Sequence, residues 1–306
     1  MKKTLALFIT LFAAVLFLKF YIIKTEGAGT GQVLGWAIGI PLAHAADKEK
    51  ESVYDRVMRT GTIRCGYGQN PPYTVVDLNT GKVTGIHAEI MDAIGESLSL
   101  EIEWTQEVPW DQMPAALQTK KIDMLCSGFW VTGARGRQIA FTRPLYFNAI
   151  EAVVRTDDTR FDNNLLALND PEITIATDDN DVGAKIAATD FPLARKLVSP
   201  QLASVDYLLM NVANGKADAT IMYTSYVHDF MTHNPGKLRA IKAGKPLRIF
   251  GTALGVSLQE QMLRDMIDSA LLELQGSGIL DKILDRYEKD YPGYFFRTAK
   301  PYEVSE

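Results

Sequence analysis

Cysteine, histidine and basic charge are all scarce in this 306-residue chain, which has two Cys, four His and a formal net charge of −5. Each scarcity closes off a chemistry. The spacing of Cys65 and Cys126 is no metal signature. His228 and His233 lie on one expected helix at a spacing that suits a single metal ion poorly, so no metal site is expected. No Gly-x-Ser-x-Gly, no phosphate loop ahead of Lys-Ser/Thr and no dinucleotide fingerprint occurs, so the motifs point to no cofactor and no enzyme. Residues 1–45 contain Lys2, Lys3, Lys19, Lys24 and Glu26; without them the remainder carries −8. An acidic body with no Lys/Arg stripe does not suit sequence-independent nucleic-acid binding. There is no internal repeat and no low-complexity tract. The two cysteines leave two readings open: a pair of small buried residues, or a disulfide, which an exported protein permits.

The amino-terminal end is where long apolar sequence is concentrated. "LALFITLFAAVLFLKFYII", residues 5–23, is apolar except for Thr10 and Lys19. About 20 such residues cross a bilayer as a helix, and basic residues ahead of the run favour keeping its start in the cytoplasm. The first small-x-small cleavage site, Ala43–Ala45, comes only after a second apolar patch. Residues 1–45 therefore read as a signal peptide or as a retained anchor in the inner membrane. Either way the rest of the chain is expected in the periplasm or on the extracytoplasmic face.

The body alternates strand and helix patterns. "TIRCGY" reads as a strand. Ile86, Ile90, Ile94 and Leu98 mark one helix face. Leu100, Ile102 and Trp104 alternate as a strand, "WDQMPAALQTKK" reads as a short helix with Pro114 in its first turn, and "IDMLCSG" is a continuous buried strand. After "NAIEAVVRTDD" the pattern restarts. "EITIAT" is a strand, "DVGAKIAATDFPLARKLV" one or two helices, "VDYLLMNVANG" a helix that Ser204 caps, and "ADATIMY" a strand. "TSYVHDFMTHNPG" is a helix, "GTALGVS" a strand, and two tail helices, Gln259–Gln275 and Ile279–Tyr287, flank "GSG". Two α/β units in series, with short connections, imply largely parallel sheets covered by helices.

Five segments, in order, carry a resemblance: "GTIRCGYGQNPPY", "GKVTGIHAEIMDAIGESL", "WDQMPAALQTKKIDMLCSG", "TGARGRQIAFTRPLY" and "NGKADATIMY". From about Val53 to Tyr294 the chain resembles the amino-acid type (family 3) of extracytoplasmic solute-binding proteins that serve ABC importers. The departures include Glu89 at the second acid of Gly-x-Asp-x-Asp and Lys120 at the glycine of Gly-Lys-x-Asp. The resemblance implies a two-lobed, type II periplasmic-binding-protein fold, each lobe a mostly parallel sheet flanked by helices, preceded by the amino-terminal apolar helix. Lobe 1 would comprise 53–152 plus 257–294 and lobe 2 would comprise 153–256. Ligand would sit in the cleft between them, with hinge closure over it, and an ABC permease would be the partner.

What the resemblance implies for single residues is specific. Arg135, in Thr-x-x-Arg, would grip a ligand carboxylate with paired guanidinium donors, in a turn that Thr132 caps. Gly128 and Trp130 would line the same spot, and Trp110 would stack on the ligand. Asn70 takes the place of a stacking tyrosine, Tyr73 would pack within its loop, and Glu89 is a helix-start acid that contacts ligand in some relatives. Tyr223 stands where many relatives place the Asp that holds an ammonium. Asp178, Asp179 and Asp181 replace a Gly-Thr loop, as a partner for a cationic ligand group or as a solvated turn. The expected function is capture of an amino acid or related small carboxylate for import. The alternatives are a membrane-tethered ligand sensor and an exported cyclohexadienyl-type dehydratase on the same fold.

Overall fold

The computed structural model describes residues 51–178, 182–199, 205–241 and 245–297. The expected anchor or signal within residues 1–45 lies outside them, as do Asp179, Asp181 and Ser204. Among the described residues no helix is long and apolar enough to cross a membrane.

The first half starts with helix α1 (Val53–Thr60), capped by Ser52, whose Oγ accepts the Asp55 N–H, and closed by Gly61 at φ 70°. Strand β1 (Thr62–Tyr67) and a two-stranded ribbon, β2 (Val75–Val76) with β3 (Val83–Thr84), precede helix α2 (Ile86–Leu98). Strand β4 (Glu101–Glu107), helix α3 (Met113–Gln118) with Pro114 in its first turn, and strand β5 (Met124–Trp130) follow. Both β4 and β5 pair in parallel with β1. Every residue of β5 is buried, as its unbroken apolar run requires when both faces of a strand are covered. Ile86, Ile90 and Ile94 enter the core, and Leu98 is half-buried at its margin. The short helix α4 (Gly133–Gly136) and strand β6 (Ile139–Phe141) close this half.

Strand β7 (Tyr146–Arg155) leads into the second half. There β8 (Thr174–Asp178), helix α5 (Val182–Asp190), strand β9 (Arg195–Ser199), helix α6 (Val205–Ala213), strand β10 (Ala219–Tyr223), helix α7 (Thr224–His233) and strand β11 (Leu238–Ala240) repeat the alternation. The parallel order is β10-β8-β9. One expectation fails here: residues 195–199 form a strand, not a second helix. Pro192 stops α5, because its ring and missing N–H cannot continue the helix. The chain then pairs with β8 residue for residue, from Arg195 with Thr174 to Ser199 with Asp178.

Strand β12 (Arg248–Ser257) returns antiparallel to both β7 and β5, and β7 pairs antiparallel with β10. The result is one continuous path, β4-β1-β5-β12-β7-β10-β8-β9. Helices α8 (Gln261–Gly276) and α9 (Ile279–Glu288) then pack on α2, and β13 (Phe295–Phe296) pairs with β7. Buried clusters fall on either side of this crossing. Two draw on residues 53–146 and 254–295, and two on residues 150–241. The exception is Trp130, which ends β5 of the first half yet belongs to a cluster of the second. Cys65 of β1 and Cys126 of β5 are joined by a disulfide, which answers the question their scarcity posed.

Candidate functional site

The carboxyl ends of β5 and β10 meet at this crossing, the place where open α/β sheets hold ligands. Strand β5 ends at Trp130, and two residues later Thr132 caps α4. Its Oγ1 accepts the Arg135 N–H at 3.3 Å, as the Thr-x-x-Arg spacing leads one to expect. The Arg135 side chain is exposed. One of its Nη1 hydrogens goes to the Trp130 carbonyl at 3.1 Å, and its guanidinium lies 5.9 Å from the Phe129 ring centre. The side chain is thus tied back to the strand end, with donors to spare. Among the described residues no carboxylate pairs with it.

Trp130 itself is only 6% exposed. Its ring centre is 3.3 Å from that of Tyr223 and 5.3 Å from that of Phe250. Tyr223 occupies the N-cap position of α7 and also meets Tyr226 edge-on. The structure therefore brings Arg135, Trp130 and Tyr223 into one neighbourhood. Asp178 stands half-buried at the end of β8.

The remaining expected residues are Trp110, Asn70, Glu89 and Gly128. Trp110 is 43% exposed at the start of a 3-10 turn. It packs on the Gly68 backbone so closely that a Cβ there would come within 2.9 Å of the indole. Asn70 is half-buried, and its main chain closes the turn through Tyr73 and Thr74. Glu89 is engaged by the C-terminal helix: Arg286 donates to one oxygen, and the Tyr287 hydroxyl donates to the other at 2.7 Å. Gly128 is buried, and its N–H donates to His87 Nδ1 at 3.2 Å.

That last bond opens a network the sequence reading did not anticipate. A backbone N–H can only donate, so His87 Nδ1 carries a lone pair and Nε2 carries the proton. Nε2 lies 2.8 Å from the Tyr146 hydroxyl, to which it donates. Thr74 Oγ1 sits 3.0 Å from both His87 Nδ1 and Ser127 Oγ, and Ser127 Oγ binds the Gly68 backbone at both N–H and C=O. Beside it, Thr252 Oγ1 donates to Asn148 Oδ1, and Asn148 Nδ2 donates to the Tyr73 hydroxyl. The rings of Tyr73, His87 and Tyr146 stack. The loop 68–74, the start of α2 and the end of β5 thereby become one wall. The available signal was His87 itself, standing at the first acid of the Gly-x-Asp-x-Asp pattern.

Burial holds the His87 imidazole down to about 3. Because the folded state disfavours the proton, unfolded chain binds more protons below the ordinary histidine value near 6.5. This part of the stability is therefore complete above pH 6.5. It falls by about 1.4 kcal/mol per pH unit as the pH drops from there toward 3. In His87→Asn, where the amide oxygen keeps an acceptor for Gly128, denaturant unfolding between pH 7 and 4.5 should lack this slope. Equal slopes in the two proteins would contradict the assignment.

The chain belongs to the bacterial extracellular solute-binding proteins, family 3, matched over residues 63–290. Among its relatives is the ABC transporter arginine-binding protein 1 of Escherichia coli strain K12, 22% identical over 71% of this chain and 86% of that protein. Solved structures share the fold. One is a putative binding component of an ABC transporter from Wolinella succinogenes DSM 1740 complexed with lysine, with a TM-score of 0.61 and 20% identity over 78% of this chain and 97% of that one. Another is an ancestral amino acid-binding protein, a precursor of cyclohexadienyl dehydratase, with a TM-score of 0.60 and 22% identity over 78% of this chain and 99% of that one.

Proposed function

We propose that this protein is an extracytoplasmic receptor that captures an amino acid or related small carboxylate for an ABC importer. Residues 53–152 with 257–294 act as one lobe, residues 153–256 as the other, and β7 and β12 as the hinge strands between them. The observation that carries the reading is the contact of Trp130 with Tyr223 across the two halves, beside Arg135 on its capped turn. The arginine and lysine binding named for the relatives supports an amino-acid class of ligand. Arg135 supplies the carboxylate grip, and Trp110, Trp130 and Tyr223 supply walls. The work is binding rather than chemistry. Glu89, the acid a dehydratase reading would employ, already has two partners in Arg286 and Tyr287. Residues 1–45 direct the body across the inner membrane, either as a signal that is removed or with the segment 5–23 kept as a tether. Fractionation of cells before and after carbonate washing checks that tether.

The test of the receptor reading is a thermal-shift screen of amino and organic acids, since a ligand of the native state raises Tm with concentration. Calorimetry on Arg135→Ala then follows with the best binder. Affinity should fall at least about 30-fold, or roughly 2 kcal/mol, as truncating one side of a desolvated charge pair does. A loss smaller than about fivefold would remove Arg135 from its role.

A further inference from the structure

Polar groups near the end of β5 are largely committed. The Gly128 N–H goes to His87, the Ser127 hydroxyl to Gly68, and Asn148 is held between Thr252 and Tyr73. Carboxylates are committed too: Asp190 pairs with Arg248, two residues from Phe250, Glu89 pairs with Arg286, and Asp178 at the end of β8 is engaged as well. What the crossing offers instead is Arg135 with spare donors and the Trp130 ring in contact with two others. Trp130 contacts both Tyr223 and Phe250, its plane at 25° to the phenyl ring. Tyr223 and Phe250, from the second half, are only partly buried, while Trp130, from the first, is buried behind them; a solute entering between the halves would meet the two outer rings. Flat apolar rings extend such a stack by offset or edge contacts. A cationic side chain there would give up its hydration in a place where burial demands a paired carboxylate.

We propose that the cleft takes a small monocarboxylate whose far end is an uncharged aromatic ring. Arg135 holds the carboxylate, and Tyr223 and Phe250, backed by Trp130, hold the ring. This rests on the receptor reading above and narrows it. Because Trp130 is part of a core, Tyr223 is the residue to vary: Tyr223→Ala removes the ring, and Tyr223→Leu removes it while keeping most of the volume.

Isothermal calorimetry on the full chain in detergent micelles tests the assignment. The probes are L-phenylalanine, L-tryptophan and 3-phenylpropionate, against L-arginine, L-lysine, L-glutamate and 2-phenylethylamine. At least one aromatic carboxylate should bind at least tenfold more tightly than the charged amino acids. 2-Phenylethylamine, a ring without a carboxylate, should not bind. Tyr223→Leu should weaken the aromatic probe at least tenfold, with its far-UV dichroism and Tm near those of the parent. Tighter binding of arginine, lysine or glutamate overturns the ring assignment and leaves the receptor reading standing. Binding of no probe on this panel overturns the ring assignment as well; the receptor reading then survives only on a hit in the wider acid screen.

Discussion

Asp123→Ala is expected to cost the folded body about 3–5 kcal/mol, the usual penalty for removing one partner of a buried ion pair. The carboxylate of Asp123 is fully buried between two guanidiniums. Arg56 of α1 donates through Nε at 3.1 Å and also through Nη2. Arg64 of β1 donates through Nη2 at 2.8 Å and through its own backbone N–H at 2.6 Å. The Asp123 N–H returns a bond to the Arg64 carbonyl, and Arg56 and Arg64 reach on to the carbonyls of Thr62 and Lys120. One side chain thus ties α1, β1 and the turn before β5. Alanine would leave two half-desolvated cations facing each other and a backbone donor unpaired. Urea unfolding of the parent and of Asp123→Ala measures the loss. Asp123→Asn should recover part of it, because it keeps an acceptor but no charge. A change below 1 kcal/mol in the alanine variant would mean that water takes the carboxylate's place, against the burial seen here.

The parts of the fold that were legible are those whose signal is local. The four-residue spacing of Ile86, Ile90, Ile94 and Leu98 marks α2 to its observed ends, and the apolar run of β5 marks a strand buried on both faces. The capped turn of Arg135 was also readable, since Thr132 and Arg135 are three residues apart. Strand β9 was not readable in this way. Nothing in "RKLVS" alternates, and it is a strand because β8 offers it a parallel edge beyond Pro192. The His87 network escaped for a related reason. Its members, Thr74, Ser127, Gly128 and Tyr146, come from separate segments that only the folded sheet brings together. The reach of Trp130 into the second half depends likewise on where β5 ends relative to β10. Pairing across long sequence distances decides each of these, and period and propensity are blind to it.

Loss of the Cys65–Cys126 disulfide should lower stability by about 4 kcal/mol. The bond closes a loop with a sequence separation of 61, and loop-closure entropy for that length gives roughly this value. Both cysteines are fully buried, so reduction also leaves two thiols inside the sheet and does not expose them to water. The bond joins β1 to β5 one residue before the network of Ser127 and Gly128 and four before Trp130. Freeing it should therefore loosen the wall that presents Arg135, as well as the chain at large. The measurement is guanidinium unfolding of the oxidised parent against the Cys65→Ala/Cys126→Ala double variant. The double variant should also show a larger m-value, since its unfolded chain expands further. Hydrogen exchange should quicken first at Gly128–Trp130, ahead of the second half. A stability difference under 1 kcal/mol, with exchange at the end of β5 unchanged, would show that the parallel pairing of β1 and β5 holds the wall without the covalent link.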